Sequence, residues 1–253
     1  MFKCKFIDRE PEELRIGVIY IASSLSLERE WPLVLPKNIS YHVSRIALED
    51  DNSTEENLIE MLESGQVETA AKHLASCGVD VIAFACTAGS FIKGADWDKQ
   101  LTKKISEAAG GVPATSTSTG LLDALSEFHC KKINLATPYL DEINMREKRF
   151  LEDNGYEVCN FIGAQCLKDQ DIYRVAPESF VEMHRIMFKR NSNIDACFIS
   201  CTNSRTVDAI NILEEELKIP VLSSNQVTLW SALKKIGFKG SLKGWGQLLS
   251  EKL

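Results

Sequence analysis

Apolar runs of strand length alternate along this chain with longer stretches whose apolar residues recur at helical spacing. Each half of the sequence contains four such runs, and this alternation is typical of an α/β protein with mainly parallel sheets. The predicted strands are residues 15–22, 39–48, 80–86, 112–118, 132–139, 156–164, 194–201 and 219–226.

The stretches between these runs predict helices. "STEENLIEML" opens with a capping-box pattern and continues with Leu58, Met61 and Leu62 at helical spacing. The predicted helices are residues 54–76, 96–109, 120–128, 141–154, 177–189, 205–217 and 227–236.

The two halves of the chain repeat the same order of elements, which indicates an internal duplication. The predicted fold is therefore α/β with two pseudo-twofold-related lobes. Each lobe is expected to be a mainly parallel four-stranded sheet flanked by helices, with the active site in the cleft between them. A single sheet with accidental similarity between its halves is the alternative.

Two short segments carry the candidate chemistry, "FACTAGS" at 84–90 and "FISCTNS" at 198–204. Each ends an apolar strand in Cys-Thr, at the edge of a parallel sheet where ligands bind. Free backbone N–H groups at a following helix start favour a thiolate and also bind carboxylates. Cys86 and Cys201 are therefore predicted to be a catalytic pair that approaches one small molecule from opposite lobes.

Composition narrows the alternatives. The net charge of −7 argues against nucleic acid as a partner, because phosphate binding needs a basic face. No uncharged apolar run reaches about 18 residues, so no membrane span is expected. The first residues lack the apolar stretch of a signal peptide, which predicts a cytoplasmic protein.

Motifs for other chemistry are missing from the sequence. Its eight cysteines include no CxxC pair, so neither a metal site nor disulfides are predicted. There is no G-x-S-x-G elbow, and the four histidines fall on strands or amphipathic helices. No glycine-rich phosphate loop is present, so no cofactor is expected.

At the two cysteine segments the chain resembles the aspartate/glutamate racemase superfamily. The resemblance is strongest to its maleate cis-trans isomerase and arylmalonate decarboxylase branch, through "ACTAGS", "SCTNSRT", "ATPY" and "VLSSNQVTLWSAL". It covers roughly residues 15–237. The decarboxylases of this branch carry only the second cysteine, so Cys86 favours isomerase-like or racemase-like chemistry.

The resemblance implies a maleate-to-fumarate type of isomerisation, with Cys86 as the nucleophile and Cys201 as the proton carrier. It also implies a homodimer, a small dicarboxylate substrate, and a division of the chain into 1–118 plus 222–253 and 119–221. The substrate-binding residues that it implies are Ser23, Ser24, Thr87, Ala88, Tyr139, Gln170, Thr202 and Asn203.

The chain departs from the branch at two places. A serine, Ser24, stands where the isomerases typically have an asparagine, and either Asp169 or Gln170 stands at a second asparagine position. Maleate itself is therefore in question as the substrate. The alternatives are an acidic amino-acid racemase, an arylmalonate-type decarboxylase, and a non-catalytic carboxylate-binding protein.

Overall fold

Eight parallel strands form the framework of the protein. The computed structural model describes residues 3–5, 7, 9–10 and 12–253. All eight predicted strands are present, with ends no more than three residues from the expected ones, and most are shorter than predicted. They are β1 (Leu14–Ile21), β2 (Ile39–Ile46), β3 (Val81–Ala85), β4 (Ala114–Ser116), β5 (Lys132–Thr137), β6 (Glu157–Gly163), β7 (Ala196–Ile199) and β8 (Val221–Ser223).

The strands form two sheets of four with matching topology. The orders are β2-β1-β3-β4 and β6-β5-β7-β8, and every pairing is parallel. The predicted α/β fold with two four-stranded parallel sheets flanked by helices is confirmed. In chain order, the third strand of the first sheet is β3 and that of the second sheet is β7, and both are completely buried. β3 ends one residue before Cys86, and β7 ends two residues before Cys201.

Helices cover the sheets. They are α1 (Ser26–Glu30), α2 (Glu55–Glu63), α3 (Gln66–Ser76), α4 (Thr87–Phe91), α5 (Trp97–Ala108), α6 (Thr117–Glu127), α7 (Asp141–Asp153), α8 (Asp169–Arg174), α9 (Pro177–Arg190), α10 (Val207–Leu217), α11 (Ser224–Lys235) and α12 (Gly246–Glu251).

One predicted helix is wrong in its extent. The stretch 54–76 is two helices, α2 and α3, because Gly65 between them has a φ of 80° that interrupts the helix. Thr54 caps α2 as the pattern predicted, since its side chain accepts a hydrogen bond from the Asn57 N–H at 3.3 Å. Sequence periodicity did not reveal the short helices α1, α4 and α8.

The last long helix, α11, links the lobes. It follows β8 of the second sheet, yet its Thr228 and Ser231 hydroxyls hydrogen-bond those of Thr117 and Thr115, at 2.8 Å and 2.6 Å. These contacts agree with a return of the chain to the first lobe after β8. We keep the division into 1–118 plus 222–253 and 119–221 as a proposal. No helix in the described part of the chain is long and apolar enough to cross a membrane.

Candidate active site

The first cysteine ends a strand and starts a helix. Cys86 directly follows β3 and is the N-cap of α4, where its Sγ accepts a hydrogen bond from the Gly89 N–H at 3.4 Å. A Cβ atom at Gly89 would lie 3.1 Å from this sulfur and 3.2 Å from the Phe84 ring. Glycine therefore permits the close approach of backbone and sulfur. The N–H groups of Thr87 and Ala88 have no acceptor among the described residues.

The second cysteine has a different backbone. Cys201 has a φ of 79°, in the left-handed region, and its Sγ accepts from the Asn203 N–H at 3.4 Å. Helix α10 begins at Val207 rather than at the predicted residue 205. The intervening residues form a turn, and Glu30 from the first lobe accepts the N–H groups of Thr206 and Val207.

Hydrogen bonds between the lobes hold these two corners against each other. The Thr202 hydroxyl donates to the Ala85 carbonyl at 2.9 Å, and the Tyr20 hydroxyl donates to the Thr202 carbonyl at 2.9 Å. Within the first lobe as divided above, the Thr87 hydroxyl donates to Ser224, the first residue of α11, at 2.8 Å. The position of each cysteine is thus fixed by residues from the opposite half of the chain.

Both sulfurs line one enclosed cavity of about 20 Å³, and each cysteine is only 6% exposed. This volume is close to what a single water occupies. The lining residues are Ile21, Ser24, Leu48, Ser53, Leu58, Cys86, Thr87, Ala88, Tyr139, Asp169, Cys201 and Thr202.

Two segments from different lobes close the cavity. Asn52 and Lys168 form an antiparallel bridge, and the Ser53 N–H donates to the Leu167 carbonyl at 2.8 Å. Leu48 and Ser53 line the cavity from the first of these segments. The volume of about 20 Å³ holds no molecule much larger than a water, so a larger ligand requires the lining residues to move.

The structure brings most of the predicted site residues together. Those that line the cavity are Ser24, Cys86, Thr87, Ala88, Tyr139, Cys201 and Thr202. Ser23 does not line the cavity, but its hydroxyl donates a hydrogen bond at 2.9 Å to Asp169, which does.

Two predicted residues are placed differently. Gln170 is exposed, whereas its neighbour Asp169 lines the cavity, so of the two alternatives at this position it is Asp169 that faces the two cysteines' cavity. The side-chain Oδ1 of Asn203 accepts the N–H groups of Leu25 and Ser26, and its Nδ2 donates to the Asp169 carbonyl. Its side chain positions the loop before α1, and its backbone N–H contacts the sulfur of Cys201.

Four lining residues were missed by the sequence reasoning: Ile21, Leu48, Ser53 and Leu58. Ile21 ends β1, a strand end where parallel sheets bind ligands, and this was the available signal. Leu58 reads as an ordinary core position of α2, and no local pattern marks it as part of the site.

Burial dominates the electrostatics of the site. It raises the pKa of the Cys86 thiol to about 12, although the Gly89 N–H favours the thiolate. Burial and the nearby Asp169 carboxylate raise the pKa of Cys201 well above its usual range, against the opposing hydrogen bonds of Tyr139 and the Asn203 N–H. The predicted thiolate activation by backbone N–H groups is therefore outweighed in this closed state.

Comparison with known proteins identifies the family. The family model described as arylmalonate decarboxylase matches residues 24–249. The chain belongs to the arylmalonate decarboxylase family. This confirms the resemblance identified from "ACTAGS" and "SCTNSRT".

The chain is also similar in sequence to two relatives and in fold to a solved structure. The chain is 30% identical over 184 residues to arylmalonate decarboxylase of Bordetella bronchiseptica, covering 72% of this chain and 75% of that protein. It is 26% identical over 254 residues to maleate isomerase of Geobacillus stearothermophilus, covering 95% and 99%. A cysteine-to-serine mutant of Nocardia farcinica maleate cis-trans isomerase with a covalently bound succinylcysteine intermediate superimposes with a TM-score of 0.88, at 21% identity and with coverage of 95% and 99%.

Proposed function

We propose that this protein is a two-cysteine isomerase that interconverts the cis and trans forms of a small unsaturated acid of the maleate class. The observation that carries this proposal is the shared cavity. The two thiols come from equivalent strand ends of matching sheets and line one enclosed space. Such a pair can attack and protonate neighbouring carbons of one small molecule.

The proposed reaction is an addition followed by an elimination. The Cys86 thiolate forms a C–S bond to one alkene carbon, and the π electron pair moves to the neighbouring carbon, which takes a proton from the Cys201 thiol. The remaining carbon–carbon single bond rotates. Cys201 then removes the proton, the C–S bond breaks, and the trans alkene leaves with Cys86 again a thiolate.

The reaction is redox-neutral and needs no external oxidant or reductant. The two thiols supply both the nucleophile and the proton. Cofactor independence is therefore part of the proposal. The unpaired N–H groups of Thr87 and Ala88 at the start of α4 are suited to a substrate carboxylate. The succinylcysteine intermediate of the Nocardia enzyme supports the covalent step.

The ionisation of Cys86 must accompany opening of the cavity. In the closed state its thiol is held neutral by burial. When the segments at Asn52 and Lys168 separate, water reaches the sulfur and the desolvation penalty falls. We propose that thiolate formation and substrate entry occur in the same open state.

The direct test follows the absorbance of maleate-class substrates with wild type, Cys86→Ser and Cys201→Ser. We expect turnover by the wild type and a loss of at least about 10³-fold in both variants, because each thiol performs a step that serine performs poorly. Full activity in either variant would overturn the two-cysteine mechanism.

A second candidate is decarboxylation of an arylmalonate-type substrate, which the 30% identity to the Bordetella enzyme favours. We expect this reaction to depend on Cys201 alone. Release of CO₂ that survives Cys86→Ser, together with no isomerisation, would establish this candidate in place of the first.

The homodimer implied by the family resemblance and the cytoplasmic location predicted from the sequence are further proposals. Light scattering after size-exclusion chromatography tests the first, where a monomeric mass at micromolar concentration would contradict it. Cell fractionation tests the second.

A further inference from the structure

The cavity contains a carboxylate of the protein itself. Asp169 is the first residue of α8, is only 4% exposed, and lines the same enclosed space as the sulfurs of Cys86 and Cys201. Neither step of the proposed reaction uses it. Burying a charged group lowers the stability of the folded protein unless hydrogen bonds or an opposite charge compensate. The contacts of Asp169 therefore indicate which part of it is left to bind a ligand.

The two oxygens of this carboxylate have different environments. Oδ2 accepts hydrogen bonds from the Ser23 hydroxyl at 2.9 Å and from the Ser24 hydroxyl at 2.7 Å. The hydrogen bonds that the described residues donate to Asp169 end on Oδ2 or on its backbone carbonyl, and none ends on Oδ1. Both serine protons are thus directed at Asp169, and the cavity presents an acceptor at this wall. An ionised carboxylate can only accept hydrogen bonds.

The charge of Asp169 is not neutralised by a neighbouring cation. No lysine or arginine in the described part of the chain forms an ion pair with it. Its field also raises the pKa values of both cysteines. Burial raises the pKa of Asp169 itself, and the hydroxyls of Ser24 and Ser23 oppose this rise by stabilising the ionised form. A substrate carboxylate placed against the ionised Asp169 would meet a like charge in a low-dielectric space, which disfavours its binding.

Thr87 and Ala88 line the same cavity as Asp169 and bring hydrogen-bond donors to it. The unpaired N–H groups of Thr87 and Ala88 offer donors for one carboxylate. One end of the site therefore suits an anion, and the Asp169 end suits a neutral hydrogen-bond donor. A cis-unsaturated monoacid with a carboxamide at its other end matches both.

We propose that Asp169 is a specificity-determining residue which selects, within the proposed substrate class, a monoacid monoamide over the diacid. The carboxamide N–H donates to Oδ1 of Asp169, while the serine hydroxyls hold Oδ2. This inference rests on the proposed function for its substrate class, but it can be measured by binding alone.

The experiment compares the saturated analogues succinamate and succinate by isothermal titration with wild type, Asp169→Asn and Asp98→Asn. Asp98 is the matched control, because it is equally buried and accepts hydrogen bonds from the Ser116 and Thr119 hydroxyls, outside the cavity. We expect wild type to bind succinamate at least about tenfold more tightly than succinate. Asp169→Asn should lose or reverse this preference, and Asp98→Asn should keep it.

Any of three results would overturn the proposal: equal or tighter binding of succinate by wild type, an unchanged preference in Asp169→Asn, or no binding of either analogue to wild type. Thermal unfolding of each variant checks that it is folded.

Turnover of maleamate and maleate separates this proposal from the proposed function. If wild type isomerises neither substrate but the binding preference holds, the isomerase proposal fails and the role of Asp169 stands. If both thiols are required for maleate turnover and Asp169→Asn leaves the ratio of kcat/KM for the two substrates unchanged, the isomerase proposal stands and the proposed role of Asp169 fails.

Discussion

The two cysteine corners occupy equivalent places in matching sheets, yet their local structures differ. Cys86 has extended backbone, with a φ of −141°, and leads directly into α4 as its N-cap. Cys201 has a left-handed φ of 79° and leads into a turn, and α10 starts only at Val207. The two matching sheets share the location of the cysteine but not the backbone conformation that holds it. The two thiols are therefore suited to different tasks rather than to interchangeable ones.

The layer beneath the sulfurs differs as well. The residue before Cys86 is the buried Ala85, whereas the residue before Cys201 is Ser200, whose hydroxyl donates to Glu147 at 2.7 Å. Tyr139 is a neighbour of Cys201 and lowers its pKa against the effect of burial. Polar groups thus lie next to the second thiol, which is consistent with a proton carrier. The residue beneath the first thiol is apolar, which is consistent with a nucleophile.

The largest effect that would separate the two corners is trapping of the covalent adduct. With a maleate-class substrate, Cys201→Ser should lose at least about 10³-fold in turnover and accumulate a saturated adduct on Cys86. A proton from water can complete the addition slowly, but serine does not remove that proton again, so elimination fails. Cys86→Ser should lose turnover without forming an adduct on Cys201. Intact-protein mass spectrometry followed by peptide mapping measures both.

A matched control is available for this comparison. Cys197 lies in β7, is fully buried and is outside the cavity, so Cys197→Ala should retain turnover if the protein remains folded. An adduct found on Cys201 in the Cys86→Ser variant would reverse the roles that we assign.

The strands could be predicted from the sequence because continuous apolar runs of strand length are local features. The equivalent positions of the two cysteines could be predicted because the Cys-Thr signal that follows such a run occurs twice. It did not predict Asp169 over Gln170, since adjacent residues at a helix start differ only in which one faces inward. Likewise, Asn203 carries a suitable amide, but its partners Leu25 and Ser26 are far away in the chain. Leu58 lines the site only because α2 packs next to residues of the other lobe. The undetected parts depend on tertiary contacts.

A second way to sharpen the comparison uses Glu147, which lies beneath the second corner only. Burial raises its pKa to about 8, and its Oε2 has no hydrogen-bond partner within the described residues. The folded state therefore holds a proton that the unfolded state releases above its ordinary pKa of 4.5. This contribution to stability is complete below pH 4.5 and is lost as the pH rises through about 8.

Glu147→Gln should remove this pH dependence. Relative to wild type, the free energy of unfolding of the variant should rise by on the order of a few kcal/mol between pH 5 and pH 9, because glutamine carries no proton to lose. Urea unfolding at both pH values measures the difference. An equal offset at the two pH values would show that Glu147 is already ionised in the folded protein.

A third, smaller effect tests the backbone difference directly. Glycine tolerates a positive φ that alanine does not, so Cys201→Gly should be more stable than Cys201→Ala by about 1 kcal/mol. At position 86, where φ is −141°, Cys86→Gly should be less stable than Cys86→Ala by about 0.5–1 kcal/mol. Urea unfolding of the four variants gives both differences, and the same sign at both positions would contradict the assigned conformations.

The smallest expected effect concerns Tyr139, whose hydrogen bond favours the thiolate of Cys201. Tyr139→Phe should raise the pKa of Cys201, while that of Cys86, whose pKa is set by burial, the Gly89 N–H and Asp169, should change less. The measurement is the pH dependence of alkylation by a small haloacetamide, made on Cys201 in a Cys86→Ala background and on Cys86 in a Cys201→Ala background. Because thiolate is the reactive form, the rate at Cys201 below its pKa should fall a few-fold, roughly in proportion to its thiolate fraction. An equal fall at both cysteines would mean that Tyr139 acts by controlling access to the cavity, and the asymmetry between the two thiols would then lie in their backbones alone.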